Sequence, residues 1–289
     1  MRGTAVPALA LLCACGATVA SEQGDAGLDQ DGPVEPDGPE PLGAFGAPQT
    51  IPIAADAVAN EDDGTLSYSG LELVYAKANA TDKDLFYAKR PTLADPFEAG
   101  TLLAFSVVGS SEETPRFSAD DLTLFYAKTN GTNLDIFKVT RGSPGSAVFS
   151  PPQLVAGVNS TATEKWFMPC GATRYLVNVG GDIAEGTLGG GPPVVDTNLS
   201  SAESETGNFL TQDCLRVYFA STRPPGTNVN RLYTSSRASV DDPWSTPVVL
   251  TDFAMLGGNQ EDPFLSTDER TFVFTSNAGG TKDVYISVR

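Results

Sequence analysis

Apolar and polar positions alternate in short runs along most of the chain beyond residue 48, broken by Gly, Asn, Asp and Pro. Residues 122–128, LTLFYAK, put Leu122, Leu124 and Tyr126 on one face and Thr123 and Phe125 on the other, the period-two signature of a strand. Asn130-Gly131-Thr132-Asn133 then reads as a tight turn, because Asn and Gly accept positive φ at little cost. Residues 135–139, DIFKV, give the next strand, and residues 153–155, QLV, a short one after a looser loop. Ahead of this set, residues 115–118 are a brief extended run closed by the polar turn 119–121. No stretch between residues 49 and 289 sustains the spacing of three and four that marks an amphipathic helix, so almost no helix is expected.

This arrangement recurs. Residues 61–86, EDDGTLSYSGLELVYAKANATDKDLF, match residues 112–137, EETPRFSADDLTLFYAKTNGTNLDIF, at an offset of 51 without a gap. The pattern returns at residues 261–285, EDPFLSTDERTFVFTSNAGGTKDVY, and in weaker form at 205–221 and 164–184. Five copies of four short antiparallel strands, each copy about 40–50 residues long, predict a β-propeller with five blades. The last copy ends at its third strand, residues 283–288. The missing fourth strand is found at the other end, where Pro48-Gln49-Thr50-Ile51 precedes the first copy as Pro152-Gln153-Leu154-Val155 precedes the third. The predicted fold is thus an all-β, five-bladed propeller over residues 48–289. Its N-terminal strand closes the ring and removes the open sheet edge that would otherwise invite aggregation.

The residues of these copies resemble the WD40-like propeller repeat of TolB-type proteins: Pro115, Phe117, Ser118, Asp120, Tyr126 and Asp135-Ile136-Phe137, and in the last copy Pro263, Phe264, Ser266, Asp268, Phe274 and Asp283-Val284-Tyr285. The chain departs from that repeat where its Gly after Asp is replaced by Asp121, Cys214 and Glu269, and where blade three carries Pro169-Cys170. The resemblance implies the fold. For function it implies only a range, since such repeats serve in scaffolds, in envelope proteins and as appended domains of peptidases. The recurring Asp84, Asp135 and Asp283 are expected to hold the hairpin before the third strand by accepting backbone N–H groups. Phe97 and Trp244, each following Asp-Pro, are expected to anchor an outer loop, with an exposed Trp244 as an alternative contact residue.

The N-terminus reads as a targeting segment. Arg2 precedes the apolar run 6–12, and Leu12-Cys13-Ala14-Cys15 resembles a bacterial lipobox, which implies a signal peptide over residues 1–14 and lipidation at Cys15. An outer-membrane-anchored envelope lipoprotein is expected, with plain secretion after cleavage near Ala20 as the alternative. Residues 15–47 contain seven acids, no Lys or Arg and much Gly and Pro, and predict a disordered linker.

Charge narrows the partners. The chain carries −18, and setting aside the seven linker acids and Arg2 leaves −12 on the propeller. Such a surface repels phosphate backbones, so no nucleic acid is expected, and a protein or glycan partner is. Histidine is absent, which excludes Ser-His-Asp and Cys-His catalysis and His-ligated zinc. Cys170 and Cys214 fall in equivalent turns of adjacent blades, where either a disulfide or two buried thiols fits. A carboxylate stands just ahead of each inner strand: Asp62, Glu113, Glu164, Glu205 and Glu261. Five acids at one level around a channel mouth would raise one another's pKa or recruit a cation such as Ca2+; the alternative is that they face solvent or bond backbone amides.

No catalytic set is marked, so the expected function is a non-catalytic binding or scaffolding module, acting as a monomer. The alternative is a glycoside hydrolase-like enzyme that uses channel carboxylates. Replacing Cys15 by Ser should abolish incorporation of a palmitate label and release the protein from membranes, as read by fractionation.

Overall fold

The computed structural model describes residues 42–53, 59–107, 109–224 and 228–289. The proposed signal segment, Cys15 and the linker up to residue 41 lie outside them. The described residues form five four-stranded antiparallel sheets. The inner strands are Glu61–Leu66, Glu112–Phe117, Glu164–Cys170, Glu205–Leu210 and Gln260–Leu265, and they are almost wholly buried. The outer strands are two residues each and exposed, apart from a half-buried Val249. The one helical element among the described residues is the 3-10 turn Ala254–Leu256. The core fills the spaces between blades: Val74, Tyr87, Leu124 and Tyr126 between the first two, and Phe125, Phe167, Tyr175 and Val177 between the second and third.

Blade five is built from both ends of the propeller. Gln49–Thr50 pairs antiparallel with Asp283–Val288, Gln49 opposite Ile286 and Thr50 opposite Tyr285. Ile51 N donates to Val284 O at 2.8 Å. Ile51 and Ile53 are buried, each worth about 1.5–3 kcal/mol of apolar burial.

The joint reaches further upstream than composition predicts. Gly46 N donates to Val288 O at 3.0 Å, and Ser287 Oγ donates to Gly46 O at 2.6 Å. The Phe45 ring packs against Phe253 and Phe272, at 5.6 and 5.4 Å between centroids. Residues 43–47 therefore belong to the ring, not to the linker. The physical reason is a repeated device. Phe45 stands four residues before Gln49, as Phe97 does before Thr101, Phe149 before Gln153 and Trp244 before Val248. Each aromatic lies under an arginine that follows a third strand: Arg289 over Phe45 at 4.3 Å, Arg90 over Phe97 at 4.5 Å, Arg141 over Phe149 at 5.4 Å and Arg237 over Trp244 at 4.1 Å. Each arginine also donates Nε to the turn between first and second strands, at Glu269 O, Gly70 O, Asp121 O or Cys214 O, within 2.6–2.9 Å. Trp244, at 3% exposure, is thus an anchor and not a contact residue.

Blade three has Leu188 where the others have arginine. Its turn is held instead by Cys170 and Cys214, whose Sγ atoms lie at 1.98 Å with the Cα atoms 5.4 Å apart, and by Gly171 N donating to Gln212 O at 3.1 Å. Asp84 and Asp135 hold their hairpins through side chains and not through backbone N–H groups: they accept from the amides of Asn79 at 3.0 Å and Asn130 at 2.6 Å.

Deleting residues 43–50 should lower the thermal midpoint by at least about 10 °C, whereas deleting 21–40 should leave it unchanged in the same calorimetric scan. Replacing both Cys170 and Cys214 by Ser should cost roughly 4 kcal/mol in urea unfolding, the loop-entropy value for their separation of 44 residues.

Candidate functional site

Every inner strand carries the same irregularity. The register with the second strand shifts between Asp62 and Thr65, Glu113 and Arg116, Lys165 and Met168, Thr206 and Phe209, and Glu261 and Phe264. Two residues oppose one at each shift, which makes it a β-bulge. The first bulged residue has positive φ in all five blades: Asp63 at 56°, Thr114 at 56°, Trp166 at 47°, Gly207 at 63° and Asp262 at 55°. Thr and Trp rarely adopt this conformation, and it persists only where the surroundings over-determine it. At Gly207 the site admits nothing larger, since a Cβ would lie 2.5 Å from Asp262 N.

These bulges sort the predicted collar acids into two sets. By strand pairing, Asp62, Glu113 and Glu261 share their level with Lys165 and Thr206. Glu164 and Glu205 sit one residue earlier, level with Glu61, Glu112 and Gln260. The prediction of five acids at one level is corrected accordingly: a one-residue step along a strand reverses the face a side chain takes. In blades two, three and four the acid of the earlier set ties the blade to the loop that enters it. Glu164 Oε1 accepts from Ser160 N at 3.1 Å, Glu205 Oε2 from Ser201 N at 3.0 Å, and Glu112 Oε2 from Val107 N at 3.2 Å.

The axial set lines a cavity of about 220 Å³ together with Asp63, Asp262, Trp166 and three lysines. Lys83 Nζ lies 2.8 Å from Asp62, 3.5 Å from Asp63 and 3.5 Å from Glu113. Lys165 pairs with Glu113 at 2.8 Å, and Lys282 bridges Glu261 and Asp62. The positive charge that a calcium ion would supply is brought by side chains. Among the described residues no group of three or more acidic or Cys side chains is arranged to hold a metal ion. Trp166 Nε1 donates to Asp63 at 3.1 Å.

Burial and the charge of Asp63 push Asp62 up to about 7. Burial and Asp63 likewise hold Asp262 well above the usual carboxylate range. Burial works to raise Asp63 as well, but Lys83, Lys165, Lys282 and Arg116 outweigh it and keep that carboxyl below its ordinary value. Arg116 is fully buried, and burial lowers its pKa against the pull of Asp262 and Asp63.

At the far end of the axis Tyr68 reaches three other blades. Its backbone N donates to Asp121 of blade two at 2.7 Å, its hydroxyl accepts from Gln212 of blade four, and its ring lies 6.5 Å from Phe264 of blade five. Beside it, between blades four and five, lies a cavity of about 380 Å³. Sequence reasoning missed the three lysines and this cavity. A linear trace exists for two of the lysines, since Lys83 and Lys282 precede Asp84 and Asp283 in matching Lys-Asp pairs.

No known family's sequence profile matches the chain, and no curated protein is detectably related to it by sequence. Solved structures share its fold. The α-L-arabinofuranosidase PaAbf62A from Podospora anserina, in complex with cellotriose, is 12% identical over 85% of this chain and 96% of its own, with a TM-score of 0.56. The catalytic domain of the Coprinopsis cinerea GH62 α-L-arabinofuranosidase is 12% identical over 85% and 96%, with a TM-score of 0.54. TolB from Acinetobacter baumannii is 12% identical over 78% of this chain, with a TM-score of 0.50, and this chain spans 54% of that protein.

The electrostatics of the collar set a pH dependence. A carboxyl whose folded pKa is raised binds its proton more tightly in the native state, so stability falls as pH rises from its unfolded value near 4 towards 7. Asp63 acts oppositely: its contribution is complete once pH exceeds its unfolded value near 4 and is lost only below it, so it adds no slope across that window. Urea midpoints at pH 4.5, 6 and 7.5 should therefore decline with pH, and Asp62→Asn should flatten the decline.

Proposed function

We propose that the chain is a non-catalytic binding module, held in the cell envelope by a lipid on Cys15, that presents a propeller face to a protein or glycan partner. The observation that carries this reading is the ion pairing of the collar. Asp62, Glu113 and Glu261 each meet a lysine, and the side chains of Asp62 and Asp63 are 5% and 3% exposed. A glycosidase needs two carboxyl groups that reach the substrate at a defined separation, one to protonate and one to attack or activate water. Here lysine ammonium groups stand over the acids. The envelope address rests on the lipobox-like residues 12–15. No helix among the described residues is long and apolar enough to cross a membrane.

One observation favours the enzyme reading. Asp62 and Asp262 are pushed towards the protonated form in the same cavity in which Asp63 is held ionised, the division of roles an acid–base pair requires. The arabinofuranosidases of like fold suggest the substrate to try. Incubation with 4-nitrophenyl α-L-arabinofuranoside and β-D-xyloside should release no nitrophenol beyond the level of an Asp63→Asn variant. Turnover lost in that variant would replace the binding reading with the hydrolase one. Affinity capture from a native envelope extract and a glycan array should return a saturable partner for the intact protein.

A further inference from the structure

The cavity beside Tyr68 lies at the C-terminal ends of the inner strands, away from the collar, and its walls are chemically matched to one class of ligand. Its volume, about 380 Å³, falls in the range of small-molecule sites. Phe209, Leu215 and Leu265 give it an apolar floor, with the Tyr68 ring at one side. Thr211, Gln212, Ser266 and Thr267 put hydroxyl and amide groups on its rim.

Its charges are balanced and already engaged. Arg216 Nη1 reaches both oxygens of Glu269, at 3.1 and 3.0 Å. Arg237 is paired outside the cavity with Glu185, at 3.0 and 3.1 Å. Asp213 Oδ1 accepts from Thr211 Oγ1 at 2.6 Å and from Leu215 N at 3.0 Å within its own turn. An anionic ligand would find both arginines already paired, a cationic one would meet only the exposed, hydrogen-bonded Asp213, and either would lose hydration. An uncharged ligand with an apolar face and hydroxyls around its edge satisfies floor and rim together.

We propose that this cavity binds a neutral sugar ring. The ring would lie over Phe209 and Leu265 with its hydroxyls towards Gln212 and Thr267. A second cavity of about 580 Å³ shares Arg216, Ser236 and Glu269 with the first and runs outward along blades four and five past Tyr218. The two together give a path for a chain of sugars in place of a single residue.

The disulfide presets the site. Cys214 lies between Asp213 and Leu215, and its bond to Cys170, with the Gly171 N to Gln212 O hydrogen bond, fixes the turn that carries Gln212. Gln212 in turn donates to the Tyr68 hydroxyl. A site ordered before the ligand arrives spends less of the contact energy on ordering.

This inference rests on the binding-module reading and names its ligand class. The test uses the intact chain, with saturation-transfer NMR and titration against methyl glycosides of xylose, arabinose, glucose, galactose and mannose, their short β-linked oligomers, and glucuronic acid and glucosamine as charged controls. We expect saturable binding of at least one neutral glycoside, at least about tenfold weaker binding of the charged controls, and a gain with oligomer length. Thr267→Trp, on an exposed turn, fills the cavity and should abolish binding at an unchanged thermal midpoint. Cys170→Ser with Cys214→Ser should weaken binding about tenfold, and Lys165→Ala in the collar should not change it. Glycoside binding lost in Lys165→Ala and kept in Thr267→Trp would overturn the site while leaving a glycan-binding module. Failure of every glycoside, with envelope capture still returning a saturable protein partner, would overturn the sugar class while leaving the module.

Discussion

The propeller depends on one joint, the seating of residues 43–53 against the last strand. Each blade can bury its two faces only against its neighbours, so every inner strand is held on both sides only when the circle is complete. The joint brings together segments more than 230 residues apart, and the entropy of that closure must be met before any contact rewards it. The reward comes from three layers: two main-chain ladder pairs, the burial of Ile51 and Ile53, and the Phe45 ring clasped between Arg289 and Phe272. Once closed, the circle holds Thr114 and Trp166 in a backbone conformation that neither would adopt alone.

Much of this architecture was legible in the sequence, because a repeat at fixed offset is a stronger signal than any local propensity. The five copies, the missing fourth strand and its N-terminal replacement all follow from aligning residues 61–86, 112–137 and 261–285. Phe45 was hidden because it stands alone in a Gly- and Pro-rich acidic stretch; only its distance from Gln49, compared with Phe97, Phe149 and Trp244, reveals it. The collar was misread for a different reason. Adjacent acids at 61–62, 112–113 and 261–262 conceal which of each pair faces the axis, so Glu164 and Glu205 aligned with the wrong member. Lys83 and Lys282 come from the second hairpin and Lys165 from the level of an expected acid, and only the folded ring brings all three to Asp62 and Glu113.

The two ends of the axis differ in chemistry. At the collar, charge is dense but internally spent, with each lysine held by more than one acid or stacked on Trp166. At the other end, the turns following the inner strands give aromatic and hydroxyl surface, with Arg216 paired to Glu269 at the edge. A module that recognises an uncharged partner has more to work with at the second end than at the first. The covalent bond between blades three and four lies at that end, and in blade three the pinning arginine of the other blades is replaced by Leu188.

Tyr68, which reaches Asp121 and Gln212, and the fully buried Arg116 lie between the lysine-lined cavity and the one beside Tyr68. The cavity on either side of them has its own lining, and no residue is common to the two. A substitution in one lining therefore leaves the side chains of the other untouched, so the two ends of the axis can vary in sequence independently.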